Sequence, residues 1–192
     1  MTASHALTRL LAAVPLLLAM PAQAQRPDDT ARIAAQREAI ARLAFMDGTW
    51  RGPATAQTPA GPHNLTQTER IGPMLDGTVK VIEGKGFEPD GRASFNAFAV
   101  ISYDPEAKAY TMRSYNAGRA GDFALTPTAD GFVWEIPIGG ATIRYTATVK
   151  DGKWREVGER IVPGLPAVPF FEMNLVRVGD TDWPAAGGLP PK

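Results

Sequence analysis

From Thr49 onward the chain is cut at nearly regular intervals by turn sequences. Asp76-Gly77, Pro89-Asp90-Gly91, Asp104-Pro105, Ala129-Asp130-Gly131, Gly139-Gly140 and Asp151-Gly152 each combine residues that preset or tolerate turn conformations. Between such signals lie ten runs with the length and composition of strands: Thr49–Gln57, Leu65–Ile71, Thr78–Phe87, Ser94–Tyr103, Tyr110–Asn116, Phe123–Pro127, Phe132–Ile138, Thr142–Lys150, Lys153–Val162 and Pro169–Val178. Several alternate strictly, as in Phe95, Ala97, Ala99 and Ile101 against Asn96, Phe98, Val100 and Ser102. Gly52 and Pro53 are expected to interrupt the first run, and Pro59-Ala60-Gly61-Pro62 turns the chain. No helical segment separates the runs, so the crossovers of a parallel sheet are missing and neighbours should pair antiparallel. Ten such strands form either a sandwich or a closed barrel, and periodicity does not choose between them.

The composition agrees with many short strands. The 192 residues include 19 Gly and 17 Pro, well above the average of about 12% for the two together. Twenty basic residues balance twenty acidic ones, which speaks against a nucleic-acid partner held by phosphate neutralisation. The absence of cysteine removes disulfide scaffolds, Cys-ligated metal sites and Cys nucleophiles together.

Residues 1–24 read as a secretory signal. Arg9 is the one charge before residue 26, Leu10–Met20 is apolar, and Ala22-Gln23-Ala24 supplies the small-x-small cleavage pattern. That apolar run is too short to span a bilayer, which takes about 20 residues. Without a lipoprotein Cys, the expected product is an exported soluble chain, periplasmic or secreted, beginning at Gln25 and keeping one histidine, His63. Residues 25–46 hold one helix. Asp28, Asp29 and Thr30 cap its start, Ile33, Ile40, Leu43 and Ala44 form an apolar stripe, and Gly48 ends it. Residues 179–192, rich in Gly and Pro, read as a loose tail.

The junction Phe45-Met46-Asp47-Gly48-Thr49-Trp50 places Gly-x-Trp between a helix and the first strand, and it resembles the opening of lipocalin-like (calycin) barrels. Met74-Leu75-Asp76-Gly77, Ser102-Tyr103-Asp104-Pro105, Arg113-Ser114-Tyr115 and Phe170-Phe171-Glu172-Met173 extend the likeness over residues 43–178, to a family of secreted bacterial lipocalin-like proteins of unknown function. The resemblance implies an all-β fold. It would be an antiparallel up-and-down barrel of about ten strands over residues 47–178, like lipocalins and fatty-acid-binding proteins, preceded by one N-terminal α-helix. It also implies that Gly48 and Trp50 close the barrel bottom, with Arg177 packed across the indole for about 0.5–2 kcal/mol. The related nitrobindin-like barrels bind haem through a late His. This chain has no His after His63, and neither Met173 nor Tyr145 is a usual lone iron ligand, so no cofactor is expected.

Little else points to chemistry. His63 is expected in a solvent-exposed Pro/Gly turn, between Pro62 and Asn64, no Gly-x-Ser-x-Gly occurs, and Gly84-Lys85-Gly86 lacks the spacing of a phosphate loop. Asp28-Asp29 and Asp104-x-Glu106 read as a helix start and a turn rather than metal ligands. The lumen remains. Glu69, Arg113, Tyr115, Trp134, Tyr145, Glu159, Phe171 and Met173 are the expected lining, with Phe171, Met173 and Leu175 sharing the face of Arg177. A mostly apolar lumen with a few polar groups suits a small apolar or amphipathic ligand. The alternatives are an enzyme pairing Glu69 or Glu159 with Tyr115 or Arg113 as acid and base, and a packed barrel with a structural or partner-binding role.

Overall fold

The computed structural model describes residues 27–183, so the expected signal segment and residues 184–192 lie outside the described residues. Ten strands follow the N-terminal helix α1 (Pro27–Ala41) and the short 3-10 turn Ala44–Met46. They are β1 (Gly48–Thr58), β2 (Gly61–Met74), β3 (Val79–Phe87), β4 (Ala93–Asp104), β5 (Ala109–Asn116), β6 (Arg119–Thr128), β7 (Gly131–Ile138), β8 (Ala141–Lys150), β9 (Lys153–Ile161) and β10 (Val168–Gly179). Each pairs antiparallel with its sequence neighbours, and β1 pairs with β10 to close the barrel. Closure chooses the barrel over the sandwich because it leaves no strand edge exposed.

The turns behave as their residues dictate. Asp151 and Gly152 both take positive φ, 52° and 69°, the geometry of a two-residue hairpin whose twist matches the flanking strands. Lys150 therefore faces Lys153, and the inward register of β8 carries straight into β9. β1 runs unbroken through Gly52 and Pro53, contrary to the expected interruption. What lapses there is the β1–β10 ladder, which pairs Arg51 with Val176 and resumes at Ala54 with Met173.

The core lies at one end of the barrel. Trp50 (2% exposed), Ile71, Ile101, Met112, Phe132, Trp154 and Leu175 meet there, and Ile40, Leu43 and Met46 from the N-terminal segment close it from below. The Tyr110 hydroxyl donates to the Ala39 carbonyl at 2.8 Å, and Gln36 to the Tyr103 carbonyl at 3.3 Å, tying α1 to β4 and β5. Of the expected stripe, Ile40 and Leu43 are buried and Ile33 is half-buried. Ala44 is exposed because the helix has already ended at Ala41. No helix among the described residues is long and apolar enough to cross a membrane.

Two expectations need correction here. Arg177 faces Trp50 across the β1–β10 ladder, but its guanidinium turns to the Asp180 carboxylate at 2.6 Å and the Asp47 carbonyl at 3.4 Å. The indole is instead met edge-on by Trp154, with centroids 5.7 Å apart, and donates to the Met46 carbonyl at 2.8 Å. Residues 179–183 are also not loose. Asp182 pairs with Arg70, and the Arg70 guanidinium lies over the Trp183 ring at 4.2 Å on the outer wall. Gly72 leaves room beneath Thr181 and Trp183.

Candidate functional site

Register decides which side chains enter the lumen. One row links Leu125, Trp134, Tyr145, Gly158, Phe171 and Ala56 across β6 to β10 and β1. The row beneath it links Phe132, Ala147, Glu156, Met173 and Ala54. On the opposite wall Glu69 pairs with Trp50 on one side and with Gly84 on the other. Glu69, Trp134, Tyr145, Phe171 and Met173 therefore all face inward.

Arg113, Tyr115 and Glu159 do not, which corrects the expected lining. Arg113 pairs across the ladder with Asp122, donates to its carboxylate at 2.8 Å and lies over the Tyr115 ring on the outer wall. Met112 and Ser114 take the inward positions of β5. Glu159 is opposite Arg144, again outside, because the parity set by buried Trp154 sends Glu156 and Gly158 inward instead. His63 is also not in a turn. It lies in β2 at the open rim, its Nε2 3.1 Å from both Glu88 carboxylate oxygens.

The lumen has two contrasting walls. On β6 to β10 the side chains are aromatic. Trp134 and Tyr145 stack in parallel, with centroids 4.2 Å apart and planes 7° from parallel. Phe123 tilts against Trp134 at 5.8 Å. A register shift between Pro169 and Phe171 gives β10 one extra residue, so that Phe170 and Phe171 both reach the Tyr145 ring, at 5.9 and 6.0 Å. Most facing positions on β3 to β5 are small, Gly84, Gly86, Ala97, Ala99 and Ser114, with Phe95 inward at the rim. Ala97, Ser114, Phe123, Trp134, Tyr145 and Phe171 are inward yet only half-buried, so solvent reaches the upper lumen through the open end.

Two carboxyls lie below this space. Glu156 (6% exposed) accepts from both indoles, Trp134 Nε1 at 3.0 Å and Trp154 Nε1 at 3.2 Å. Burial pushes its carboxyl up to about 7 against the two indole bonds. Glu69 (9% exposed) accepts from Gln67 Nε2 at 2.7 Å through Oε1, while its buried Oε2 has no partner among the described residues. Burial, opposed by the Gln67 bond and assisted by the nearby Glu156 and Glu83 charges, pushes Glu69 up to about 8. Its carboxyl rests on the bare backbone of Gly84, where a Cβ would come within 2.8 Å of Oε1. Burial also lifts the Tyr145 phenol to about 12. Lys80, inward at the closed end and fully buried, is held by Asp47.

Glu156 and Gln67 escaped the sequence reading, yet a signal for Glu156 was present. The Asp151-Gly152 hairpin sets Val149 opposite Trp154, and Glu156 follows two residues later on the same face. Gln67 shares the alternation of Leu65, Glu69 and Ile71. Among the described residues no group of three or more His, Asp or Glu side chains is gathered as metal ligands. Two depressions of about 450 and 350 Å³ lie on the outer wall, the first mainly over β1, β9 and β10 and the second over β6 to β8. Neither is lined by Glu69 or Glu156.

These features define a class: a closed ten-stranded antiparallel barrel with a buried acid pair in its lumen. No protein-family model matches the chain, and no curated protein matches it. The fold is similar to that in the crystal structure of Rv2717c from M. tuberculosis, with a TM-score of 0.56 and 11% identity, over 73% of this chain and 97% of that one. At that identity the likeness concerns the fold alone.

Proposed function

We propose that this chain is an exported barrel of the lipocalin-like kind that holds a small amphipathic molecule in its lumen. The observation that carries the reading is the unpartnered Oε2 of Glu69, buried beneath a solvent-reached aromatic wall. A buried polar atom without a partner costs about 1–3 kcal/mol. A ligand whose polar end meets that oxygen recovers this energy, while its apolar body covers Trp134, Tyr145 and Phe171. The Gly-x-Trp opening and the Ser102-Tyr103-Asp104-Pro105 and Phe170-Phe171-Glu172-Met173 fragments support the family likeness. The apolar run Leu10–Met20 followed by Ala22-Gln23-Ala24 supports export.

Native mass spectrometry of the protein expressed from its full gene in a Gram-negative host tests both parts. The expected species starts at Gln25, is recovered from the periplasm and carries a non-covalent small molecule. Identical ligand-free masses from every growth medium, with no change in tryptophan fluorescence on adding an amphiphile, would sink the binding reading. Retention of Met1 in a cytoplasmic product would sink export.

A second reading, acid–base catalysis, is favoured by one observation: two buried carboxyls of unequal surroundings, Glu156 with two donors and Glu69 with one. Such a split separates an acid from a base. Tyr115, Arg113 and Glu159 take no part in it, because they lie outside the barrel.

A further inference from the structure

We propose that the buried end of the lumenal ligand is a protonated amine, held by the Glu69 and Glu156 carboxyls beneath the aromatic wall. This rests on the lumen-binding reading and narrows it to one chemical class.

Between the closed end and the rim, the ionisable side chains on inward positions are Glu69, Glu156 and Tyr145. The inward cations lie at the two ends. Lys80 is held by Asp47 and Arg177 by Asp180 at the closed end. Arg119, Arg160 and His63 share the inward register at the open rim, with His63 against Glu88. Glu83, which also raises Glu69, sits on the outer face of β3 against Lys85. A ligand carboxylate would thus become a third acid in a buried space with no free cation beside it among the described residues, which is strongly unfavourable. A neutral alcohol would satisfy Glu69 Oε2 with one hydrogen bond but make no use of the second acid. An ammonium group fits both features. It offers three donors, the small Ala97 and Ala99 keep bulky side chains off the wall beside the Glu69 carboxyl, which is itself seated on Gly84, and the Trp134, Tyr145 and Phe171 faces attract cations.

The proton balance is explicit. Burial raises the Glu69 carboxyl to about 8, so its protonated form predominates at pH 7. An arriving ammonium stabilises the carboxylate. The O–H bond on Glu69 breaks, the proton leaves to solvent, and an N–H···O⁻ bond forms in its place, so charge is conserved with one proton released.

Three probes with the same alkyl chain separate the cases: dodecylamine, dodecanol and dodecanoate, each below its micellar concentration, added to the full exported protein. Binding is followed by tryptophan fluorescence, and by calorimetry at pH 7 in phosphate and in Tris, whose ionisation heats differ. Dodecylamine is expected to bind about tenfold or more tighter than the other two, releasing about one proton per ligand. Glu69→Gln, the isostere of the protonated acid, should lose that preference and the proton release while still binding dodecanol. Should Glu69→Gln not fold, the wild-type proton count and probe ranking decide alone. Dodecanol or dodecanoate binding as tightly as the amine, or amine binding with no proton released, overturns the amine assignment and leaves the lumen-binding reading standing. Failure of all three probes to bind overturns both.

Discussion

At Glu69 the two oxygens of one carboxyl have different surroundings, Oε1 taking the Gln67 amide and Oε2 taking nothing. An ionised group there would be a buried charge with half its hydrogen bonds missing, so the proton stays on. Glu156 has a donor for each oxygen and is raised less, to about 7 against about 8 for Glu69. The consequence for stability has a definite sign. Between the ordinary Glu range and about 8 the folded chain keeps protons that the unfolded chain has lost. The contribution is therefore complete below about pH 4.5 and falls as pH rises through 7 to 8, by a few kcal/mol in all. Glu69→Gln removes the titration while keeping the shape and the neutral state. In urea unfolding at pH 5 and pH 8, the variant should show a shallower loss than the parent. It should be more stable than the parent at pH 8 by about 1–3 kcal/mol. A variant less stable than the parent at pH 8 would mean that Glu69 is ionised and well partnered in the folded state.

At the scale of elements, α1 serves as the stopper of the closed end. A helix this short is marginal in isolation, and packing against the barrel supplies what propensity does not. Leu43, just past the end of α1, is fully buried in the core with Met46 and Trp50, whereas Ile33, ten residues earlier on the helix, is half-buried. Leu43→Ala should therefore lower stability by about 2–5 kcal/mol in urea titration, and Ile33→Ala by about 1 kcal/mol or less. Equal losses would show that the N-terminal segment is held along its whole length rather than by the residues that follow the helix. The opposite end carries Phe95, Ile138 and Val168 on strand ends and Leu165 in a loop, all substantially exposed. The stopper thus closes only the end of the barrel below the acid pair.

For the molecule as a whole, the seam between β1 and β10 is the decisive contact, because it joins strands from the two ends of the barrel sequence. Pairing so far apart is slow to form and comes after local hairpins. The seam is narrow at Gly52, where a Cβ would run into the Asn174 carbonyl oxygen. Gly52→Ala is expected to cost more than about 3 kcal/mol, since an opened seam frees two strand edges at once. It should also bind the dye ANS as β1 and β10 part. Near-wild-type stability with no ANS binding would show that the two strands tolerate a wider spacing and that closure is not tightly fitted.

The alternation of side chains, the Asp-Gly and Gly-Gly turns and the Gly-x-Trp junction sufficed for ten antiparallel strands behind one helix, because local backbone preference and period-2 patterning act within a few residues. Phe171 and Met173 were legible from parity along the last strand, a local property, whereas Glu69, Trp134 and Tyr145 were picked out by residue character and it is the register that turns them inward. Residue character misled where it competed with parity. Arg113, Tyr115 and Glu159 look like site residues, yet each is one position off the buried face, while plain-looking Glu156 is on it. The placement of Arg177 on Asp180 rather than Trp50, the packing of Trp183 on Arg70 and the solitary Oε2 of Glu69 belong to the closed barrel alone. Each depends on which strands meet across the lumen or along the outer wall. Desolvation and charge coupling between residues 69 and 156 arise only once β1 and β10 have closed the space between them.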